Sequence, residues 1–490
     1  MKRHLMLMIC LSMLLAGCAK STTPAAETAK PQAEPSAVQS AAASDNKDTD
    51  DPVDTAAASD DEETADVWEV LEEAYVYAFP LVLMDATKDN ATNTEEPVVN
   101  QSPVNQFIHS RDLVNADFRN VVSPNVDTLY TQIWYDLSEE PMVYVLPDAG
   151  RFCKVQVLDA WTNTPAVLDK AGTYAITLSS WEGELPDGMI RVDVPTSIAW
   201  SITRTLVSGE ADIPAVRAIQ DKMQLMPLSA YIAGGEYQPP KGSYSKENDF
   251  VPINKVIAMD PVSFFNKANE LMVKNPPAAA DTEMLERIAA VNVGPGLSFD
   301  ISVLTGDIKE NWTKMLQGVR PSLLQKIEKF AMKLGQWHYY GAPIGNFGTE
   351  YAYRTLVAIA GLGANPVEVA LYPKLELDAN GNALTGEKIY NLHFENCPQV
   401  LEGGFWSVTA YGDDDFLIAN PIDRYCINDR SGLKVNEDGS IDVILSNDAP
   451  EDTTNWLPVG DKGFHLYMRI YSPDIDALET WTAPVINLVD

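Results

Sequence analysis

Apolar and polar residues follow two different periods along the chain, and these periods predict where strands and helices lie. Between residues 128 and 207, apolar side chains recur at alternate positions in short runs separated by Pro, Gly and Asp, as in antiparallel strands. Similar β-type patterns return from Val367 through Tyr471. The predicted strands of the first region are Thr128–Asp136, Met142–Leu146, Phe152–Leu158, Thr173–Leu178 and Ser197–Leu206.

Helical spacing marks the start and the middle of the folded part. Val67, Leu71 and Ala78 share one face of a predicted helix that Asp66 caps and that runs to about Thr87. The predicted fold class is therefore α+β and multidomain, with two mainly antiparallel β-sandwich domains and a helical region between them. The further predicted helices are Ile213–Met223, Val262–Val273, Thr282–Val291, Ile308–Leu334 and Thr349–Gly361.

Short segments of the two β regions resemble one another in the same order along the chain. Their spacing differs, which predicts two related β-sandwiches with different loops. Chance similarity between short strands is the alternative. The matched pairs are Leu129–Asp136 with Phe405–Gly412, Asp187–Val192 with Asp438–Val443, and Arg204 with Arg469.

The N-terminus carries a pattern typical of export. Lys2 and Arg3 precede an apolar run of roughly a dozen residues, which is shorter than the ~20 needed to span a bilayer. The run ends in Leu15-Ala16-Gly17-Cys18, which resembles the lipobox of bacterial lipoproteins. The resemblance implies cleavage before Cys18 and lipidation of its sulfur; an ordinary signal peptide or a short membrane anchor is the alternative. Ala19 resembles the outer-membrane sorting pattern, so the predicted location is the outer membrane of a two-membrane envelope.

The segment behind Cys18 predicts a disordered, acidic linker. It consists mainly of Ala, Ser, Thr, Pro, Asp and Glu, and it holds too few large apolar side chains to offset the entropy of ordering. The predicted organisation is a signal peptide at 1–17, this linker at 18–65, an N-terminal domain at 66–210, a helical region at 211–345 and a C-terminal domain at 346–490.

The charge and the cysteines limit the partners. The net charge of −35 excludes nucleic acid as a predicted partner, because phosphate binding needs clustered Lys and Arg. Beyond the signal and the lipidated cysteine, Cys153, Cys397 and Cys426 remain, and an odd number predicts no disulfide framework. One Cys397–Cys426 bridge and three free thiols both stay open.

Familiar catalytic motifs are missing from the sequence. The chain has no Gly-x-Ser-x-Gly, His-Glu-x-x-His, Cys-x-x-Cys or phosphate-loop pattern, so no cofactor and no metal is predicted. His338 stands out because Trp337, Tyr339 and Tyr340 surround it. It is either a catalytic base or a histidine in an aromatic cluster at a helix end.

Several charged residues lie inside or beside predicted strands. Arg204 and Arg469 interrupt hydrophobic strands, and burying an arginine costs several kcal/mol unless it is paired. Both are therefore predicted to meet carboxylates, with Asp127 and Asp423 as candidates. Such a cluster would be a structural staple or an anchor for a ligand. The residues assigned to a ligand or structural ion-pair role are Asn125, Arg204, Arg424 and Arg469.

Two sets of motifs are similar to a bacterial tandem family, and together they span nearly all of residues 67–490. The resemblance implies two β-sandwich domains with helical material between them, and it implies no catalytic residues. Where the family often has Asn, this chain has Asp423 beside Arg424, which predicts a stronger ion pair there. Pro124–Tyr130, Asp136–Pro141 and Pro195–Thr205 resemble domain of unknown function 1254, and Gly361–Asn365, Phe405–Thr409, Asn420–Tyr425, Asp438–Ser440 and Asn455–Pro458 resemble domain of unknown function 1214.

Two hypotheses for function arise, and the sequence leaves open whether the protein is an enzyme. The first is an envelope lipoprotein, held at the membrane by its lipid, that binds a small molecule or an envelope ligand or has a structural role. The second is a hydrolase of a small molecule or glycan, with its site between the domains. That site would use Asp127, His338 and Asp423, with Arg204 as an anion anchor, so these side chains would have to converge. Self-assembly into a homo-oligomer is a further expectation.

Overall fold

The computed structural model describes residues 56–119, 121–304 and 306–489. Cys18, the predicted signal peptide and residues 18–55 of the predicted linker lie outside this part. Residues 64–490 form one compact unit. Within the described residues, two mainly antiparallel β-sandwiches have a helical region between them, which confirms the predicted fold class.

Every predicted helix is present, although the bounds differ, most at the first helix and at the one expected over Ile308–Leu334. The helix α1 (Ala56–Ala91) begins ten residues before the predicted start at Asp66, so the last part of the predicted linker is helical. Ala and Glu in this segment favour a helix even where no apolar face is present, and the prediction used only the apolar face. The other α-helices of the described residues are α2 (Ile213–Gln220), α3 (Leu228–Ala233), α4 (Pro252–Ile257), α5 (Pro261–Lys274), α6 (Thr282–Ile288), α7 (Gly306–Ile327), α8 (Tyr351–Gly361) and α9 (Ile475–Leu478).

The N-terminal sandwich contains nine strands in two sheets. One sheet has the order β1-β2-β8-β4-β5 and the other has the order β7-β6-β3-β9, with β6 and β7 parallel. Alternating buried side chains of both sheets meet between them, as a two-sheet core requires. The strands are β1 (Phe107–His109), β2 (Thr128–Asp136), β3 (Met142–Leu146), β4 (Cys153–Asp159), β5 (Ala166–Leu168), β6 (Gly172–Leu178), β7 (Ile190–Val194), β8 (Ile198–Leu206) and β9 (Gln224–Pro227).

The C-terminal sandwich is built in the same way. Its larger sheet has the order β10-β11-β13-β19-β15-β16, with β12 also paired to β19, and its smaller sheet has the order β18-β17-β14-β20. The strands are β10 (Ala331–Leu334), β11 (Trp337–Tyr340), β12 (Ala370–Leu371), β13 (Lys374–Leu375), β14 (Ile389–Phe394), β15 (Val400–Gly412), β16 (Cys426–Asn428), β17 (Ile441–Ser446), β18 (Trp456–Pro458), β19 (Phe464–Pro473) and β20 (Val485–Val489).

One predicted helix was wrong at its end. The helix expected over Ile308–Leu334 stops at Ile327, and residues 331–334 form β10, which pairs with β11. His338 therefore lies in a strand and not at a helix end. The four residues Ala, Met, Lys and Leu fit a helix and a strand equally well by periodicity, and only their pairing with β11 decides between the two.

The two sandwiches share one strand order, which supports the predicted relationship between them. In each sandwich, one long strand carries a buried arginine, which is Arg204 in β8 and Arg469 in β19. In the first sandwich β8 pairs with β4, and in the second β19 pairs with β15. In each, the smaller sheet ends in a parallel pair, β6 with β7 and β17 with β18. The smaller sheets correspond strand for strand, as β7-β6-β3-β9 and β18-β17-β14-β20.

This correspondence corrects two of the three segment matches. By topology, β15 corresponds to β4 and not to β2, and β17 corresponds to β6 and not to β7. The match of Arg204 with Arg469 holds in the strand registers. Arg204 pairs with Lys154 of β4, and Arg469 pairs with Ser407 of β15. Each arginine donates to the side chain two positions after this partner: Arg204 to Gln156 Oε1 at 2.9 Å, and Arg469 to Thr409 Oγ1 at 3.2 Å.

The helical region forms a layer with α1 at its centre. From Ala74 to Ala86, α1 is buried on all sides, as expected for a helix enclosed by others. Phe264 and Phe265 of α5 and Trp312 of α7 pack into the same core. Trp161, from the turn after β4, reaches into this core and joins the N-terminal sandwich to the helices.

Gly363, just after α8, packs tightly against the N-terminal sandwich. A Cβ atom there would lie 2.7 Å from Ile202 Cδ1 and 2.9 Å from Trp200 Cζ3, and the backbone has a φ of +82°. Its carbonyl oxygen accepts a hydrogen bond from Arg204 Nη2 at 2.8 Å. The absence of a side chain therefore lets the chain after α8 approach β8.

Replacing Gly363 by Ala tests this close approach. Gly363→Ala adds both left-handed backbone strain and overpacking, so we expect the free energy of unfolding to fall by about 3 kcal/mol or more. Gly381→Ala is the matched control, because Gly381 has a φ of +80° and open space around its Cα. The control should lose only about 1–2 kcal/mol in urea unfolding. Equal losses for the two variants would contradict the packing argument.

Candidate functional site

A cleft lies where the turn after β4, the segment before α6 and the helix α8 meet. Two adjoining pockets of about 220 and 230 Å³ form it, and they share Asn163, Ala278, Asp281 and Arg354. We call it the Arg354 cleft. Each of the two pockets is smaller than the roughly 300–1,000 Å³ of sites for drug-sized ligands.

Pro80 in α1 helps to place α8 against this cleft. A proline has no backbone N–H, so within a helix it leaves the carbonyl oxygen four residues earlier without its usual donor. That oxygen belongs to Val76, and Thr355 Oγ1 donates to it at 2.5 Å. The next side chain along α8, Arg354, donates from Nη2 to the oxygen of Tyr77 at 3.3 Å.

Arg354 is buried but uses few of its hydrogen-bond donors. It is 2% exposed, and its guanidinium lies 5.4, 5.1 and 5.3 Å from the ring centres of Tyr77, Trp161 and Tyr351. Among the described residues, its Nε atom has no partner. Burial lowers the pKa of Arg354, whereas Tyr77, Asp281 and other groups oppose this change, and a guanidinium keeps its proton in proteins. The cleft therefore contains a cation with donors to spare.

Asp281 is held by two tyrosines. Tyr77 donates to its Oδ2 atom and Tyr351 to its Oδ1 atom, each at 2.9 Å. Burial, followed by the nearby Asp281 carboxylate, raises the pKa of both tyrosines, so both remain hydrogen-bond donors. This arrangement fixes the carboxylate beside Arg354, and each of its oxygens still has acceptor capacity.

Asp159, the last residue of β4, is a second buried carboxyl group in the cleft. Its Oδ1 atom accepts from the backbone N–H groups of Trp161 and Asn163 at 2.8 and 2.9 Å, and its Oδ2 atom accepts from Asn163 Nδ2 at 3.1 Å. Burial raises its pKa to about 6, even though these hydrogen bonds and Arg354 favour the ionised form.

The backbone of the turn after β4 is strained at Thr162. Thr162 has a φ of +69°, which is unusual for a β-branched residue, and its buried Oγ1 atom has no partner among the described residues. Such strain is concentrated at functional sites, where the surroundings hold it in place. The equivalent turn after β15 has the same form, with Asp415 at a φ of +59°.

The two arginines predicted to meet carboxylates differ in their partners. Arg204 donates to Gln156 Oε1, Asn365 Oδ1 and the oxygen of Gly363, so the expected ion pair was wrong. Neutral oxygens satisfy a guanidinium by geometry, and the sequence does not show which oxygens the fold brings near. Arg469 donates to Thr409 Oγ1 and to the oxygen of Ser123, and its charge also acts on the predicted partner Asp127, where it favours the ionised form.

Asp127 and Asn125 join the two halves of the compact unit. Ser407 Oγ donates to Asp127 Oδ2 at 2.5 Å, and Arg430 Nη2 lies 3.4 Å from Asp127 Oδ1. Asn125 Nδ2 donates to the Tyr471 hydroxyl at 2.5 Å. Burial raises the pKa of Asp127, which is 1% exposed. These contacts have the geometry of a staple.

The remaining predicted residues lie apart from this staple. Asp423 is exposed and accepts from the Tyr425 hydroxyl, while Arg424 donates to backbone oxygens of residues 453, 454 and 456. The expected ion pair beside Arg424 was therefore wrong. His338 is half-buried, with Nε2 3.5 Å from Glu376, and burial lowers its pKa.

The side chains proposed for hydrolysis thus have separate sets of partners. Asp127, His338, Asp423 and Arg204 share no hydrogen bond or ion pair among the described residues.

Sequence reasoning missed Arg354. Its signal was present, because an arginine between Tyr353 and Thr355 lies in a helix whose other residues are mostly apolar or aromatic. The expectation of buried arginines rested on strand patterns alone and therefore did not include an arginine in a helix.

Within the described part of the chain, no group of three or more metal-ligating side chains is placed to hold an ion. No helix in that part is long and apolar enough to cross a membrane. Cys153, Cys397 and Cys426 are all free thiols, which decides between the two cysteine alternatives.

Two family models match separate segments of the chain. Residues 104–227 match the model described as "Protein of unknown function (DUF1254)", and residues 369–475 match that described as "Protein of unknown function (DUF1214)". The chain therefore carries these domains as an N-terminal to C-terminal tandem, which confirms the resemblance. Arg354 and Asp281 lie between the two matched segments, whereas Asp159 lies within the first.

The fold is supported by one solved structure, from Vibrio parahaemolyticus. The VPA0106 protein from Vibrio parahaemolyticus is 22% identical, with a TM-score of 0.63 over 87% of this chain and 100% of that chain. A putative uncharacterized protein from Burkholderia cenocepacia is 12% identical, with a TM-score of 0.40 over 88% and 96% of the two chains. No curated protein matches the chain. The likeness to the Vibrio protein bears on the fold alone.

The raised pKa of Asp159 predicts a pH-dependent stability. The folded state holds this proton at pH values where the unfolded chain has released it, so the group's contribution falls as the pH rises from about 4 to about 6. A shift of about two pKa units corresponds to about 3 kcal/mol. Relative to the unchanged protein, Asp159→Asn should therefore gain about 3 kcal/mol in urea unfolding between pH 4 and pH 7. A difference constant to within about 1 kcal/mol would contradict the shift.

Proposed function

We propose that the protein binds a small organic ligand in the Arg354 cleft, with an anionic group of the ligand at the Arg354 guanidinium. The observation that carries this proposal is a buried arginine that lines a cavity with unused donors. Other buried arginines of the chain, such as Arg204, have oxygens around them, and an arginine without them is costly to bury. A bound carboxylate or phosphate would supply the missing acceptors in a charge-assisted, bidentate contact.

The walls of the cleft support a ligand with a small apolar body. Trp161, Pro276, Pro277 and Ala278 line it, and apolar walls with a few convergent polar groups are typical of small-molecule sites. The hydrolase hypothesis depended on the convergence of Asp127, His338, Asp423 and Arg204. Since these residues have separate partners, the binding hypothesis is the better supported of the two.

We also propose that the protein works outside the cytoplasm as a lipid-anchored component of the cell envelope. Support comes from the lipobox-like residues Leu15–Cys18 and from the acidic segment behind them. The ligand would then be a small molecule of the envelope or of its surroundings.

A variant that fills the cleft tests the binding proposal. Ala278 is exposed at the cleft and lines both pockets, so Ala278→Phe should occupy the space of the ligand without disturbing a core. Calorimetric titration with small carboxylates, with and without an amino group, and with inorganic phosphate should identify a ligand. Ala278→Phe should weaken its binding at least about tenfold, and change the free energy of unfolding by less than about 0.5 kcal/mol.

The matched control for this variant is Ala290→Phe, at an exposed alanine that does not line the cleft. Its affinity for the same ligand should equal that of the unchanged protein. Binding that survives Ala278→Phe, or that both variants weaken equally, would place the ligand elsewhere and refute the proposal.

Lipid anchoring is tested separately by fractionation. Cys18→Ala should move the protein from the membrane fraction to the soluble fraction, because the acyl chains supply the attachment. The melting temperature of the released protein should stay unchanged. Cys10→Ala, within the predicted signal, should leave the protein with the membrane. A Cys18→Ala protein that stays membrane-bound, or that is aggregated or degraded, would count against a simple lipid tether.

A further inference from the structure

The charges that line the Arg354 cleft restrict what kind of anion it accepts. The ionisable side chains that line it are Arg354, Asp281 and Asp159. With both carboxyl groups ionised, the site has one positive and two negative charges. A ligand with only a negative charge would add a further one beside two carboxyl groups that are at most 4% exposed, which is unfavourable.

Among the described residues, the hydrogen bonds of Asp281 and Asp159 leave part of the acceptor capacity of these carboxylates unused. Each oxygen of Asp281 accepts one tyrosine hydroxyl, and Asp159 Oδ2 accepts one amide N–H, while a carboxylate oxygen has two lone pairs. Unused acceptors and the unused donors of Arg354 therefore occur in one cleft. A ligand that satisfies both kinds of group must carry an acceptor and a donor.

We propose that the ligand is a zwitterion of amino-acid type, with its carboxylate at Arg354 and its ammonium group between Asp159 and Asp281. This inference rests on the proposed function and names the ligand class of the same site. Binding of such a ligand adds no net charge to the cleft, and every ionised group then has a partner of opposite charge. The apolar walls at Trp161 and at the Pro276-Pro277 pair suit a small aliphatic side chain.

The nearby aromatic rings are consistent with this assignment. Tyr77, Trp161 and Tyr351 surround the guanidinium of Arg354 and stabilise its charge without using its N–H donors. The donors thus stay available for a carboxylate, while Asp281 is fixed by tyrosine hydroxyls and Asp159 by the strained turn at Thr162. The two ends of a zwitterion would meet groups that are already in place.

Ligand series with one carbon skeleton test the proposal on the unchanged protein. The probes are the apolar L-amino acids, the 2-hydroxy acid that matches each in skeleton, and the amine left when the carboxylate is removed. Calorimetry should show at least one amino acid that binds about tenfold or more tightly than both of its analogues. The hydroxy acid leaves the two carboxylates without a cation, and the amine leaves Arg354 without an anion.

Asp159→Asn separates the contribution of the ammonium group. This variant should reduce the preference for the amino acid over its hydroxy acid to less than about threefold, and it should bind the hydroxy acid at least as well as before. Asp187→Asn, at an exposed aspartate outside the cleft, is the control and should keep the full preference. The series on the unchanged protein still decides the question if Asp159→Asn does not fold.

The outcomes distinguish this inference from the proposed function. If a hydroxy acid binds as tightly as the amino acid and Ala278→Phe abolishes both, the cleft is a binding site and the zwitterion assignment fails. If no amino acid binds, the assignment fails as well. If an amino acid binds and Ala278→Phe has no effect, the proposed site itself is wrong and this inference falls with it.

Discussion

The burial of arginine side chains is the constraint on which much of this structure depends. A guanidinium keeps its charge and offers five N–H donors, so it can leave water only where the fold supplies acceptors. Arg204 donates hydrogen bonds to oxygens of β4 and of the loop after α8. Arg469 donates to an oxygen of the segment before β2. Each arginine therefore connects parts of the chain that are distant in sequence. With the Asp127–Ser407 hydrogen bond, they link the N-terminal sandwich to the C-terminal half of the chain.

The two sandwiches use one backbone plan in different surroundings. After β4 and after β15, the chain makes the same turn, with Thr162 and Asp415 in the left-handed conformation. In the first half, the turn faces the helical layer and contributes Trp161 and Asn163 to a cleft. In the second half, Asp415 lies 3.2 Å from His465 in a cluster of charged groups. A common turn thus acquires different chemistry from the elements packed against it.

The sequence predicted the local elements well because their signals are local. The alternation of apolar and polar residues predicted the observed bounds of β2 and β3. The strand registers agree with the predicted equivalence of Arg204 and Arg469. Matching segments of one sandwich with segments of the other was less reliable, because short β patterns resemble one another. Only the sheet topology shows that β4 corresponds to β15. The partners of buried charges could not be predicted, since they come from loops whose positions depend on the whole fold. The cleft was missed for the same reason: its residues come from four regions between positions 159 and 354.

The proposed site at Arg354 is built at some cost in stability. Aromatic rings stabilise its charge, by about 2 kcal/mol or more when such a contact is desolvated, and they leave the hydrogen-bond donors unused. The left-handed Thr162 and the buried carboxyl group of Asp159 add further unfavourable terms at the same place. A purely structural cluster would be expected to remove such terms, as the partners of Arg204 do. Their concentration around one cavity is what favours a ligand as the missing partner.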